Sequence, residues 1–140
     1  MIVLDTDVLT NFFNGRADVV SAVGLIPAAE LALTVVTCEE MLRGWLGEIR
    51  KAESRTDRTK LTDAYWRLGK VLEALPQFEL LPYTPEAEAL LHRWQIDKVK
   101  AGKTKDRRIA ATCVTQGATL VTHNRRDFDR VPGLKLTVWN

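Results

Sequence analysis

The sequence is poor in the residues that build thiolate metal sites and disulfide scaffolds: its 140 residues include two cysteines and two histidines. Cys38 and Cys113 lack C-x-x-C spacing and lie in apolar helical stretches, so both are expected to be small buried core residues in a reducing cytosol. Long hydrophobic runs are missing as well. No apolar stretch approaches the roughly 20 residues that span a bilayer, and the opening MIVLD turns acidic at once, without the basic and apolar regions of an export signal. A cytoplasmic protein with no membrane partner is expected. The net charge of +2 is too small by itself to mark a nucleic-acid binder. With 46% apolar and 27% charged residues, the composition is that of an ordinary globular protein. The length suits one domain over residues 1–140, with a core that buries about two-thirds of the unfolded surface.

What the chain does have is an alternation of short apolar runs with helical periods. Ile2–Leu4, Leu31–Val36, Phe78–Leu81, Ala118–Thr122 and Leu134–Val138 read as strands, the first buried on both faces as a parallel sheet requires. Asp7 is a candidate cap for a helix through Phe13, and a second helix is expected from Asp18 to Ala29. Thr37 is the expected N-cap of a helix with Met41, Leu42, Trp45, Leu46 and Ile49 on one stripe. After a turn within Glu53–Lys60 the period resumes at Leu61 and ends at Pro76, which predicts a helical pair protruding as an arm over the sheet edge. Pro85 opens a helix that Gly102 breaks, and another opens near Asp106 and closes at Gly117. The spacing of Trp45, Trp66, Trp94 and Trp139 fits core positions. Together these features predict an α/β fold: a three-layer α/β/α sandwich on a mostly parallel five-stranded sheet, with a protruding helical hairpin.

Acidic residues stand where strand pattern gives way to helix pattern. Asp5 follows the first strand, Glu40 lies in the first turn of the helix after the second, Asp106 opens a later helix, and Asp127 follows the fourth strand with Asn124. In an open parallel sheet, ligands bind beyond the carboxyl ends of the strands, so four separate segments are expected to aim acid at one edge. Carboxylates that converge without histidine or thiolate partners make an all-oxygen site suited to Mg²⁺ or Mn²⁺. Such an ion lowers the pKa of a bound water and neutralises charge on a phosphate. The outline is that of a phosphodiester-cutting site, with Asp5 and Asp106 the principal metal ligands, Glu40 a water-orienting group and Asp127 completing a second position. One metal and two are both compatible with this set.

The small net charge conceals local concentration. From Arg93 to Arg108, seven lysines and arginines face two aspartates; from Arg43 to Lys70, eight basic residues face four acidic ones. Basic segments beside an acidic metal site would draw in a polyanion that the carboxylates alone repel. Lys98, Lys100, Lys103, Lys105, Arg107 and Arg108 are therefore candidates for holding a polyanion's phosphate backbone.

MIVLDTDVLTNFF, LTVVTCEEMLRG and DRRIAATCVTQGATLVTHNRRDFDRVPGLKL together resemble the PIN-domain ribonucleases, in particular the VapC-type toxins of bacterial toxin–antitoxin pairs. The resemblance places the family's first acid on Asp5, its helix acid on Glu40 before Gly44 rather than on Glu39, and its third on Asp106. The T-x-N-x-x-D-F motif brings Thr122, Asn124 and Asp127. It implies Mg²⁺-dependent endoribonuclease activity, with RNA the polyanion that those basic residues would hold; it also implies a homodimer and a cognate antitoxin that inserts a segment into the crevice. Thr6, Asp7, Thr122 and Asn124 become supporting candidates, with Asp7 standing where such chains often carry Asn, and His123 an exposed RNA contact. Two alternatives stand beside this reading. One is a PIN-like module that binds RNA or protein without cutting. The other is a phosphatase of the haloacid dehalogenase kind, suggested by the Asp-x-Asp of DTDVLT but weakened by Leu9 at a place where Thr or Val is expected.

Overall fold

The computed structural model describes residues 1–56, 58–99 and 102–140; Lys100, one of the candidate RNA contacts, lies outside the described residues. Five strands, β1 (Ile2–Leu4), β2 (Leu31–Thr34), β3 (Glu79–Leu81), β4 (Thr119–Thr122) and β5 (Lys135–Val138), form one sheet in the order β3-β2-β1-β4-β5. Every pairing is parallel, so the sheet is wholly rather than mostly parallel. Among the described residues six α-helices flank it: α1 (Thr6–Phe13), α2 (Ala17–Gly24), α3 (Val35–Glu53), α4 (Arg58–Ala74), α5 (Pro85–Ile96) and α6 (Thr104–Gln116).

The period-two alternation of the central strands creates the layers. Val3, Ala32 and Leu120 join one core with Leu91, Trp94, Ile109 and Cys113 of α5 and α6. Their neighbours Leu4, Leu33 and Val121 join the opposite core with Val8, Leu9, Val19, Met41 and Val71. Leu4, Leu9, Leu33, Ile109 and Leu120 are completely buried, each worth about 1.5–3 kcal/mol of transfer free energy. Among the described residues no helix is long and apolar enough to cross a membrane.

The strand order fixes where a site can form. From β1 the chain steps outward to β2 and β3, then returns to the other side of β1 as β4. The direction of winding therefore reverses between β1 and β4, and a crevice opens at their carboxyl ends. Register puts Leu4 opposite Val121 there.

Several element boundaries differ from the sequence pattern. β2 ends at Thr34, and Thr34 rather than Thr37 caps α3: its Oγ1 accepts the Thr37 N–H at 3.0 Å and pairs with the Thr37 hydroxyl at 2.9 Å. The strand pattern of Val35 and Val36 yields because this buried cap starts the helix first. α2 stops at Gly24 instead of reaching Ala29; Pro27 interrupts it and a 3₁₀ turn covers Ala28–Glu30. Asp5 rather than Asp7 caps α1. α6 begins at Thr104, which moves Asp106 from the cap to the third helical position.

α3 and α4 pack along one another as the expected hairpin. Its outer surface is more apolar than the core assignment allowed. Trp66 is 62% exposed and Leu46, Tyr65 and Leu72 are likewise exposed, whereas Trp94 is buried and Trp45 and Trp139 are half-buried. Helical spacing cannot tell which side of a two-helix arm has the sheet beneath it. Lys70 lies over the Trp66 ring at 5.3 Å, which gives that exposed face a cation partner.

Replacing Thr34 by Val keeps the shape but deletes the cap and strands the buried Thr37 N–H. A loss of about 1–3 kcal/mol is expected, read as a lower urea midpoint at unchanged slope; an unchanged midpoint would refute the role given to this cap.

Candidate active site

Asp5 is the first residue beyond β1 and is 5% exposed. Its carbonyl accepts the Leu9 N–H at 2.9 Å in the first turn of α1, and three further bonds hold it. Its backbone N–H donates to Val121 O at 2.9 Å, its Oδ1 accepts the Thr6 N–H at 2.8 Å as the cap of α1, and its Oδ2 accepts the Thr122 hydroxyl at 2.8 Å. Thr122, wholly buried at the end of β4, also accepts the Asn124 N–H at 3.1 Å. One hydroxyl thus couples the acid after β1 to the loop after β4. Burial pushes the Asp5 carboxyl up to about 6; the Thr122 and Thr6 bonds oppose the rise, and repulsion from Asp7 and Asp106 adds to it.

Glu40, half-buried near the start of α3, accepts the Thr6 hydroxyl at 2.7 Å on Oε1. Burial raises its pKa, the Thr6 bond opposes this, and Asp106 pushes it further up. Its neighbour Glu39 has the opposite environment. A hydrogen bond from Lys105, together with the charges of Lys105 and Arg43, holds its carboxyl below the usual range. The helix therefore separates two adjacent glutamates, one neutralised by cations and one turned toward acids.

Asp106 accepts the Lys103 N–H at 3.0 Å, which ties the first turn of α6 together. Burial raises its pKa, the Lys103 bond resists, and Asp127 and Asp7 raise it again. A Cβ built at Gly102 would come within 2.4 Å of Asp106 Oδ2, so the missing side chain at 102 is what leaves this carboxylate its place. Asp127 lies in the 3₁₀ turn Arg125–Asp127 and accepts from Asn124 Nδ2 at 2.8 Å.

The structure accordingly brings Asp5, Glu40, Asp106 and Asp127 into one electrostatically coupled group. Asp7, exposed in the first turn of α1, repels three of them. The sequence named Asp7 as a supporting residue, and the structure adds which acids it acts on. The donor set is all oxygen, and Asp5, Glu40 and Asp106 have their pKa raised by burial and by acidic neighbours, which is the chemistry that a hard divalent cation relieves. In that sense the residues fit Mg²⁺ or Mn²⁺. Among the described residues, no three acidic, histidine or cysteine side chains already stand as a closed metal cage.

Other sequence candidates fall elsewhere. His123 is half-buried and its Nδ1 lies 2.7 Å from Trp139 O, so it ties the end of β4 to the residue after β5 instead of standing free at the surface. Cys113 is buried and its thiol is pushed up to about 12, mainly by burial, as befits an inert core residue; Cys38 is half-buried, and both are free thiols. The basic run divides. Lys105 pairs with Glu39, Arg108 borders a cavity with Tyr83 and Glu88, and Lys98 and Arg107 line a different cavity.

A family model described as "PIN domain" matches residues 2–134. No curated protein matches the chain. Among solved structures, VapBC2 from Rickettsia felis bound to a DNA fragment from its promoter shares 20% identity, with both chains fully covered and a TM-score of 0.75. DNA-bound VapBC from Salmonella typhimurium shares 20% identity over 99% of this chain and 98% of that one, with a TM-score of 0.75. FitAcB from Neisseria gonorrhoeae shares 21% identity over 97% and 96%, with a TM-score of 0.71. At such identities the likeness establishes the fold.

Because the folded carboxyl of Asp5 titrates near 6 against 3.8 for the free group, its contribution to stability is greatest below pH 4 and is lost as pH rises through 6. Asp5→Asn mimics the protonated form. In chelator it is expected to stabilise the protein by about 1–3 kcal/mol at pH 7.5 and by little at pH 4. Thermal melts across pH check this; a variant destabilised equally at both values would refute it.

Proposed function

The chain belongs to the PIN-domain family, and from that premise we propose that it is a divalent-metal-dependent endoribonuclease, the toxin of a bacterial toxin–antitoxin pair. The observation that carries this reading is the group formed by Asp5, Glu40 and Asp106 at the point where the sheet reverses its winding, each with its pKa raised by burial and by acidic neighbours. Phosphodiester hydrolysis needs charge neutralised on the phosphate and a proton removed from water. When bound, Mg²⁺ (or Mn²⁺) would supply the first and assist the second.

Asp5 and Asp106 are the residues that would hold the ion. Thr122 and the Thr6 N–H fix the rotamer of Asp5, and the Lys103 N–H fixes that of Asp106. Glu40 keeps one oxygen occupied by the Thr6 hydroxyl and has the other to orient a water and accept its proton. Asp127, steadied by Asn124 and acting on Asp106, would complete a second metal position.

The partners follow from the same surface. A groove of about 600 Å³ starts at Thr6 and Glu40 and runs between α1 and the hairpin past Met41, Gly44 and Trp45. It would suit the segment by which an antitoxin restrains the site. The exposed apolar positions of the hairpin suit a homodimer in the cytoplasm. The alternative of a non-cleaving PIN-like module draws on one observation, the lack of a ready-formed cage among the described residues.

Metal-dependent cleavage separates the two. RNA cutting is expected with Mg²⁺ and not with EDTA, and Asp5→Asn or Asp106→Asn should each cost more than the roughly 10–100-fold typical of supporting residues, the range expected for Thr6→Val. Since Asp5 must be ionised and its pKa is raised, kcat/KM at low Mg²⁺ should fall below about pH 6 rather than below pH 4. Full activity in Asp5→Asn would end the proposal.

A further inference from the structure

Beside the acidic crevice lies a second cavity of about 800 Å³, with Lys98, Arg107, Arg126 and Arg130 in its wall and Asp129 the one acid among its described lining residues. Three distant segments assemble it. α6 supplies Arg107, and the loop after β4 supplies Arg126 and Arg130. The third segment is the end of α5, where Lys98 takes the left-handed backbone (φ 54°) usually left to glycine, within the closing bonds Lys98 N–H to Gln95 O and Val99 N–H to Trp94 O.

Against these four cations the described lining offers a single acid, Asp129. None of the ion pairs found among the described residues involves these four cations. Arg107 Nε is buried without a hydrogen-bond partner. A buried, unpaired guanidinium N–H is costly unless an acceptor reaches it, and cations collected in a concave wall focus their field on whatever enters. Arginine forks match phosphate oxygens in pairs.

Sequence adjacency ties the cavity to the acids. Arg107 follows Asp106, Arg126 precedes Asp127, and Gly102, which makes room for the Asp106 carboxylate, is part of the cavity wall. The cavity lining and the acids are thus carried by the same two segments, the start of α6 and the loop after β4. We infer that this cavity takes a backbone phosphate of an RNA strand continuing out of the acidic crevice, so that Lys98, Arg107, Arg126 and Arg130 fix the strand on one side of the cut. The inference rests on the nuclease reading for its substrate, but its test does not require cleavage.

The full chain carrying Asp5→Asn is titrated with a short fluorescein-labelled single-stranded RNA across a series of salt concentrations, with and without Arg126→Ala/Arg130→Ala. A control pair, Arg50→Ala/Lys135→Ala, removes the same charge from the hairpin and from the opposite end of the sheet. The cavity pair is expected to weaken binding several-fold and to reduce the slope of log affinity against log salt by roughly 1.4, the value for two lost contacts to a single strand; the control pair should leave both nearly unchanged. Equal effects of the two pairs, or no RNA binding by the Asp5→Asn parent, would overturn the inference. Calorimetry with inorganic phosphate provides a second arm. Phosphate binding that depends on Arg126 and Arg130 while RNA affinity does not would mean a free-anion site and would also overturn it. If wild-type protein fails to cut RNA yet binds it through these arginines, the nuclease reading falls and the strand path stands.

Discussion

The bond from the Thr122 hydroxyl to Asp5 is the contact on which the rest of the site depends. It joins two residues 117 positions apart and is wholly buried. A carboxylate with little water around it is stable only if something donates to it, and here the donors are a backbone N–H at a helix start and one threonine. Both are fixed by the parallel pairing of β1 with β4. Asp5 cannot turn away without giving up its cap, so the crevice keeps an acid that folding alone would rather protonate.

Stability and function pull against each other at this point. Burial, the largest influence on Asp5, Glu40 and Asp106 alike, disfavours their charged forms. The chain nevertheless gathers them and adds Asp7 at the rim. Against this cost the sheet and helices fix the backbone, and the Thr6 and Thr122 hydroxyls hold Glu40 and Asp5 in place.

Much of this was legible in the residues. The five apolar runs gave five strands, and the acids at the switches from strand to helix were found at one sheet edge because parallel topology leaves them nowhere else. Helical period alone could not choose between Glu39 and Glu40, which occupy the same turn; the family resemblance chose Glu40 by its spacing to Gly44, and in the structure Lys105, 66 positions from Glu39, neutralises Glu39. The basic run from Lys98 to Arg108 looked like one surface and is divided among Glu39, the Tyr83–Glu88 corner and a cavity shared with Arg126 and Arg130. Charge counts along a chain carry no information about which way a helix turns each residue. Trp66 miscarried for the same reason: periodicity gives spacing, and tertiary packing decides what covers each face; His123, read as exposed from its place beside the motif, is instead held by Trp139 O.

The strand order also has a consequence for synthesis. β1 is made first yet lies at the centre of the sheet, and one of its two neighbours, β4, emerges only after residue 118. Until then Asp5 lacks the threonine that anchors it and the loop bearing Asn124 and Asp127. A fragment that ends before β4 therefore carries Asp5, Glu40 and Asp106 but not the threonine and the loop that finish the crevice.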